Sequence, residues 1–269
     1  MELLQTIGIP AAILAGIGLL SAILLTLAAR LLAVHENPTV TALTDALPQA
    51  NCGACGFAGC ADYARAVAEG KAAVNLCKPG GSETAARLAD ITGTEAAAVT
   101  PEIAVLHCRG DCKSAKRKCD YHGIESCAGA KVHFGGGNSC SHGCIGLGDC
   151  VRACPNGAIS LKNGLADIQP GKCVACGLCI PACPNHLIAL RPTAKHFDVR
   201  CASPAPGKAV KLVCSHGCIG CRLCERKCLS HAVKVVNNLA VIDYSKCTGC
   251  GVCRDHCPTG AIACCEDTN

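Results

Sequence analysis

A repeat of cysteines constrains this chain more than any other feature of its 269 residues. Each of eight cysteines between positions 140 and 183 is followed 74 positions later by another cysteine. The first set is Cys140, Cys144, Cys150, Cys154, Cys173, Cys176, Cys179 and Cys183. The second set is Cys214, Cys218, Cys224, Cys228, Cys247, Cys250, Cys253 and Cys257. Because Ile145-Gly146 also recurs as Ile219-Gly220, we infer that one unit has been duplicated.

The composition indicates that the chain needs cross-links to fold. It has 28 cysteines, no tryptophan and 2% aromatic residues, which leaves too few aromatic side chains for an ordinary aromatic-rich core. The cysteines occur in tight C-x2-C pairs, and such pairs suit metal centres better than disulfides. Zinc is the alternative to iron–sulfur clusters, although zinc sites usually join two C-x2-C pairs across a loop. Thiolate centres also favour a reducing compartment.

Two segments have the spacing C-x2-C-x2-C-x3-C-P, at positions 173–184 and 247–258. This spacing resembles that of bacterial ferredoxins with two [4Fe-4S] clusters, in which the fourth cysteine of each run binds the other cluster. The resemblance implies four ligand sets. These sets are Cys173, Cys176 and Cys179 with Cys154; Cys140, Cys144 and Cys150 with Cys183; Cys218, Cys221 and Cys224 with Cys257; and Cys247, Cys250 and Cys253 with Cys228.

Cys140 takes part in these sets as a substitute. The first unit has Leu147 where the repeat has Cys221, so we expect Cys140 to complete the set of Cys144 and Cys150. A proline follows the fourth cysteine of each run except in one case, where Leu229 takes its place. The cysteines left without a predicted partner are Cys201, Cys214, Cys264 and Cys265.

A separate group of cysteines lies before the repeats, in the segment NCGACGFAGC at 51–60 and at position 77. Its glycines allow the backbone to wrap closely around a cluster and to direct N–H groups toward it. Four cysteines in one local segment are enough for a fifth [4Fe-4S] cluster. Its predicted ligands are Cys52, Cys55, Cys60 and Cys77. A zinc site or structural thiols would be the alternative.

The segment from 101 to 138 has an irregular pattern. Its cysteines could hold a sixth cluster or could be free thiols that pack as small hydrophobic residues. They are Cys108, Cys112, Cys119 and Cys127. The same segment carries a basic run, which could be a solvated helix face or a docking surface. This run consists of Lys113, Lys116, Arg117 and Lys118.

The first residues predict a membrane anchor. Leu3–Ala29 contains no charged residue and exceeds the roughly 20 apolar residues that a transmembrane helix needs. Arg30 follows this stretch, and the positive-inside tendency then places the rest of the chain in the cytoplasm. We therefore expect a single-pass protein of the cytoplasmic membrane. The net charge of +5 comes without aromatic stacking residues, so we expect no nucleic-acid partner.

We predict an α+β protein with a single N-terminal transmembrane helix, a small four-cysteine iron–sulfur domain and two tandem two-cluster ferredoxin units. The predicted boundaries are 1–34 for the anchor, 35–100 for the four-cysteine domain, 101–138 for a cysteine-containing linker, 139–191 for the first ferredoxin unit, 192–213 for a second linker and 214–269 for the second unit. Within the first unit, 158–161 and 164–168 predict a hairpin, and 188–190 predicts a further strand.

Two phrases resemble one family more specifically than the ferredoxin runs do. They are NCGACGFAGCADYA at 51–64 and GCIGLGDC at 143–150. Together with the anchor and the doubled ferredoxin, they resemble the B subunit of the Rnf complex over essentially the whole chain. The resemblance implies one component of a membrane complex that oxidises reduced ferredoxin, reduces NAD+ and pumps Na+ or H+. It implies soluble ferredoxin as the electron donor, membrane and flavin-carrying subunits as partners, and no complete NAD+ site on this chain.

Two other functions compete with this interpretation. The doubled ferredoxin would also suit a polyferredoxin of another membrane complex, such as a hydrogenase. A metal-storage or zinc-structural protein is a third interpretation. No pattern of His, Ser or carboxylates suggests acid–base or nucleophilic catalysis, and no G-x-G-x-x-G follows a predicted strand. Five clusters, or six, therefore predict a path for electrons.

The anchor prediction can be tested by truncation. A chain that lacks residues 1–34 should be soluble, brown and loaded with clusters, because the apolar stretch alone is expected to hold it to the membrane. The measurement is the share of cluster absorbance that stays in the supernatant after ultracentrifugation. Sedimentation of the truncated chain with membranes that contain no partner subunits would contradict a single anchor.

Overall fold

The computed structural model describes the backbone of residues 2–31, 37–95, 98–133 and 135–264. The chain divides into two compact parts, of which the first ends at Thr41. The helices are α1 (Glu2–Leu31), α2 (Pro38–Ala46), α3 (Cys60–Ala68), α4 (Gly81–Thr92), α5 (Cys127–His133), α6 (Asp149–Arg152), α7 (Cys179–Ala182), α8 (Gly207–Val213), α9 (Leu223–Lys227) and α10 (Val252–Asp255). The strands are β1 (Glu102–Leu106), β2 (Ile159–Lys162), β3 (Leu165–Ile168), β4 (Ile188–Pro192), β5 (Phe197–Val199), β6 (Val233–Val236), β7 (Leu239–Ile242) and β8 (Ile262–Cys264).

The helix α1 contains the stretch that predicts a membrane anchor. Its side chains are described only from Leu14 to Arg30, and the earlier part of the predicted span lies outside that range. Among the described residues, no helix combines the length and the apolar character that crossing a membrane requires.

The duplication in the sequence is also a duplication of structure. The hairpin β2–β3 recurs 74 residues later as β6–β7, and strand β4 recurs in the same way as β8. Each unit also gains an outer strand, since β4 pairs antiparallel with β1 and β8 pairs antiparallel with β5. The hairpin and the strand at 188–190 are therefore confirmed. The segments predicted as linkers, 101–138 and 192–213, supply the outer strands.

The two hairpins explain why Ile-Gly recurs. Each hairpin has a two-residue turn with positive φ at both positions, Asn163-Gly164 in one unit and Asn237-Asn238 in the other. A side chain on Gly146 would collide with the carbonyl of Gly164. In the second unit, a methyl group on Gly220 would lie 2.9 Å from the Asn238 carbonyl oxygen. The cysteine loop can pack against the hairpin only if it carries glycine there.

Thiols form part of the core of each unit. In the second unit, Cys218, Cys224, Cys228 and Cys253 are buried in the same cluster as Ile262. The first unit has the same arrangement around three buried thiols and the fully buried Leu187. Those thiols are Cys108, Cys150 and Cys179. The mixed helices and short strands agree with the predicted α+β class, and the small core agrees with the scarcity of aromatic residues.

A buried ion pair joins the end of the first unit to the second. Arg191, at the end of β4, donates from Nε to Asp198 in β5 at 2.9 Å, and their side chains are 3% and 0% exposed. The hydroxyl of Tyr244 donates to the other oxygen of Asp198 at 2.6 Å. Burial, followed by the negative charge of Asp198, raises the pKa of Tyr244. The tyrosine therefore stays a neutral donor.

This ion pair should contribute more to stability than a surface pair. Asp198→Asn removes the negative charge that compensates the buried charge of Arg191, which costs about 3–5 kcal/mol. The matched control is Glu83→Gln, which breaks the exposed pair with Arg87 and costs about 0–1 kcal/mol. The measurement is the midpoint of thermal loss of cluster absorbance under anaerobic conditions. Equal midpoints for the two variants would contradict the role assigned to the buried pair.

Candidate iron–sulfur centres

The four-cysteine domain brings its thiols together around one loop. Cys77 is buried, and this burial raises its pKa. The negative charges of Cys60, Cys52 and Cys55 raise it further, which places all four sulfur atoms in one neighbourhood. The four cysteines that the sequence groups here are therefore neighbours in space.

Local hydrogen bonds shape this domain. The side-chain oxygen of Asn51 accepts the N–H of Cys60 at 2.8 Å and so fixes the first residue of α3. Tyr63, on the same helix, donates its hydroxyl to the Ala73 carbonyl at 2.7 Å and accepts the N–H of Leu76 at 3.2 Å. The tyrosine thereby holds the segment that carries Cys77 against α3. Burial raises the pKa of Tyr63 to about 12, so it remains a donor.

The second ferredoxin unit gathers two groups of thiols. Burial raises the pKa of Cys253 to about 11, and the further causes include three neighbouring thiolates, at Cys247, Cys250 and Cys228. Burial raises the pKa of Cys224 to about 12, and its neighbouring thiolates are those of Cys218, Cys221 and Cys257. Each group combines three cysteines of one run with the fourth of the other. These are the groups that the ferredoxin spacing predicts, and their role as iron ligands stays a prediction.

One group in the first unit lies around Cys179. Cys179 has Cys173, Cys176 and Cys150 as neighbouring thiolates, and burial raises its pKa to about 12. Cys154 packs in the same core cluster. The N–H of Ala104, in β1, donates to the sulfur of Cys173 at 3.4 Å. The outer strand therefore supplies a backbone donor to this group, which sequence spacing did not indicate.

The other group in the first unit differs from the prediction. A cavity is lined by four thiols together with apolar residues such as Leu106 and Ile188. Its cysteines are Cys127, Cys144, Cys150 and Cys183. The structure thus brings Cys127, at the start of α5, to the place where the sequence predicts Cys140.

Asp149 holds Cys127 in this position. Its carboxylate accepts the N–H groups of Cys127 and Ala128, each at 2.9 Å, and the hydroxyl of Ser126 at 3.0 Å. Burial favours the neutral acid, but these donors outweigh it and lower the pKa of Asp149. A charged cap therefore anchors the first turn of α5 beside Cys150. The sequence did contain a sign that the two units differ here, since the second unit has Leu223 in place of Asp149 and Cys221 in place of Leu147.

The cysteines of the 101–138 segment lie in different surroundings. Cys112 and Cys119 are exposed, whereas Cys108 is 7% exposed and Cys127 lines the cavity described above. Cys108 follows β1 into the interior and accepts the N–H of Cys144 at 3.4 Å. The basic run is exposed and lies in turns and two isolated β-bridges, not in a helix. Cys265 lies outside the described residues.

The thiols carry features that suit iron–sulfur clusters. In the first unit, the N–H of Ala158 donates to Cys154 at 3.3 Å, and the N–H of Leu187 donates to Cys183 at 3.4 Å. Such N–H···S bonds stabilise thiolates and tune the potential of a bound cluster. Within the described residues, no three His, Cys, Asp or Glu side chains are close enough to hold a single metal ion.

Three segments match known families. Residues 47–79 match the family described as "Putative Fe-S cluster", residues 140–187 match a 4Fe-4S dicluster domain, and residues 240–263 match a 4Fe-4S binding domain. These matches support [4Fe-4S] clusters at the sites where the structure gathers thiols.

Curated relatives match the chain over nearly its full length. The chain is 42% identical to the B subunit of an ion-translocating oxidoreductase complex of Methanosarcina acetivorans, over 93% of this chain and 96% of the relative. It is 42% identical to the B subunit of a proton-translocating ferredoxin:NAD+ oxidoreductase complex of Clostridium ljungdahlii, over 91% and 88%. A Na+-translocating counterpart of Acetobacterium woodii is 39% identical, over 97% and 79%. The chain therefore belongs to the family formed by the B subunits of the ion-translocating Rnf oxidoreductase complexes.

Proposed function

We propose that this chain is the electron-transfer subunit of a membrane-bound, ion-translocating ferredoxin:NAD+ oxidoreductase. It accepts electrons from reduced soluble ferredoxin and passes them to membrane subunits of the complex. The observation that carries the proposal is the series of separate thiol groups along one chain. The names of the three relatives support it, since each is the B subunit of an ion-translocating oxidoreductase complex.

Five [4Fe-4S] clusters follow from the thiol groups described above. Their proposed ligands are Cys52, Cys55, Cys60 and Cys77; Cys127, Cys144, Cys150 and Cys183; Cys154, Cys173, Cys176 and Cys179; Cys218, Cys221, Cys224 and Cys257; and Cys228, Cys247, Cys250 and Cys253. Cys127 replaces Cys140 in the second set because it lines that cavity and is anchored there by Asp149.

The residues of the chain do two things for these clusters. Buried thiols keep water away from the sulfur ligands, and backbone N–H groups stabilise their negative charge. When bound, a cluster supplies a site that takes up and releases one electron at a time. Reduction of NAD+ needs a hydride and hence a flavin, which we assign to another subunit. The apolar stretch Leu3–Ala29 would anchor the chain, with its cluster domains in the cytoplasm.

Ferredoxin should deliver electrons to this chain without any partner subunit. Mixing the full chain with reduced ferredoxin under anaerobic conditions should bleach its cluster absorbance, and NADH should not form when NAD+ is present. Both signals can be followed in one stopped-flow experiment. Rapid formation of NADH by this chain alone, or no uptake of electrons from ferredoxin, would contradict the proposed function.

The basic run provides a second test of the same reaction. If it attracts an acidic ferredoxin, Lys113→Gln with Lys116→Gln should slow electron uptake several-fold at low salt. The effect should disappear at about 1 M salt, where exposed charges are screened within about 3 Å. The matched control is Lys208→Gln with Lys211→Gln, since these lysines on α8 are also exposed. An equal loss of rate in both pairs would show that no specific docking surface lies at the basic run.

The exchange of fourth cysteines between runs can be tested by spectroscopy. Cys154→Ala and Cys176→Ala should remove the same signal from the electron paramagnetic resonance spectrum of the reduced protein, because both cysteines are assigned to one cluster. Cys150→Ala is the comparison and should remove a different signal. If Cys154→Ala instead matches Cys150→Ala, each run binds its own cluster and the assignment is wrong.

A further inference from the structure

A second cavity lies where the two ferredoxin units meet. It is lined by equivalent loops of the repeat, the CSHGC segments that begin at Cys140 and Cys214. Cys108 and Cys201 line the same cavity. None of these four cysteines belongs to the five clusters proposed above, so four spare thiols come from four distant parts of the chain to one place.

The thiols of this cavity surround a close turn of the backbone. A methyl group placed on Gly110 would lie 3.5 Å from the sulfur of Cys214 and 3.7 Å from the sulfur of Cys108. The residue next to this glycine in space, Ala115, forms a β-bridge with Cys214. The segment after β1 is thereby held against the second unit, and Cys108 in this segment is buried.

The surroundings of these sulfur atoms suit thiolates bound to a cation. Cys108 is buried, and Cys140, Cys201 and Cys214 are half-buried. The N–H of Cys144 donates to the sulfur of Cys108 at 3.4 Å. Bound iron would supply the positive charge that such a group of buried thiolates requires.

A buried polar atom in the same wall has no partner in the described structure. The Nδ1 atom of His216 is shielded from solvent and finds no hydrogen bond among the described residues. A buried nitrogen of this kind costs free energy unless a partner is supplied. A sulfide or a thiolate of a bound cluster would provide that partner.

The strand pairing explains how these cysteines are related. Leu106 of β1 pairs with Ile188, and Val199 of β5 pairs with Ile262, which is the equivalent of Ile188 74 positions later. Cys108 and Cys201 each follow the paired residue by two positions, so they are equivalent in the two units. Both line this cavity, as does the equivalent pair Cys140 and Cys214.

We propose that Cys108, Cys140, Cys201 and Cys214 hold a sixth [4Fe-4S] cluster at the junction of the two ferredoxin units. The proposal deepens the proposed function, because the new cluster would connect the two units. Gly143 and Cys144 line both this cavity and the neighbouring one, so the two sites share a wall. One electron that leaves a reduced cluster in one unit would reduce the junction cluster and then move on to the other unit.

The test counts iron in the full chain, purified and reconstituted without oxygen. The wild-type chain should bind about 24 iron and 24 sulfide atoms, four of each per [4Fe-4S] cluster. Cys108→Ala with Cys214→Ala should lower both counts to about 20. The matched control is Cys112→Ala with Cys119→Ala, which removes exposed thiols from the same segment and should change neither count.

A second measurement needs no variant and so does not depend on the folding of one. In the loaded wild-type chain, alkylation followed by mass spectrometry should leave the four junction cysteines unmodified, and removal of iron by a chelator should make them reactive together. Cys112 and Cys119 should react in both states. A wild-type count of about 20 iron atoms, or alkylation of Cys140, Cys201 and Cys214 in the loaded chain, would overturn the proposal. A full count without reduction by ferredoxin would instead overturn only the proposed function.

Discussion

Burial of cysteine sulfur is the constraint on which the rest of this structure depends. Burial raises the pKa of Cys144, Cys179 and Cys224 to about 12 each, so bare thiolates would be unstable at these places. Iron binds the thiolate and compensates its charge, which couples binding of the cluster to folding. A chain with no tryptophan and few other aromatic residues can in this way keep a compact core, because each cluster acts as a cross-link between distant segments.

The two ferredoxin units differ in the source of one cysteine. In the proposed assignment, the second unit takes all three local ligands from its own run, and it has Leu223 where the first unit has Asp149. In the same assignment, the first unit lacks one local ligand and uses Cys127 from another segment, whose N–H the carboxylate of Asp149 accepts. The missing local cysteine in one copy is thus accompanied by a new capping interaction.

The outer strands have a similar role at the level of the fold. Strand β1 brings Cys108 into the interior, and strand β5 lies two residues before Cys201. Strand β1 pairs with β4, the last strand of the first unit, and β5 pairs with β8, the last strand of the second unit. The buried pair of Arg191 and Asp198 joins β4 to β5. Segments that look like linkers in the sequence therefore position cysteines at the junction of the units.

The sequence by itself determined the duplication, the hairpin strands, the thiol groups that lie within short runs and the family. These features depend on contacts between residues close in the chain, where spacing and turn residues such as Asn163-Gly164 are enough to define geometry. Only the tertiary structure decided which distant cysteines lie beside these local thiol groups. Spacing could not show that Cys127 rather than Cys140 lines the cavity of the first unit, because that choice depends on the carboxylate of Asp149, 22 residues away. The convergence of Cys108 and Cys201 likewise depends on the pairing of an outer strand within each unit, a long-range contact that no local pattern records.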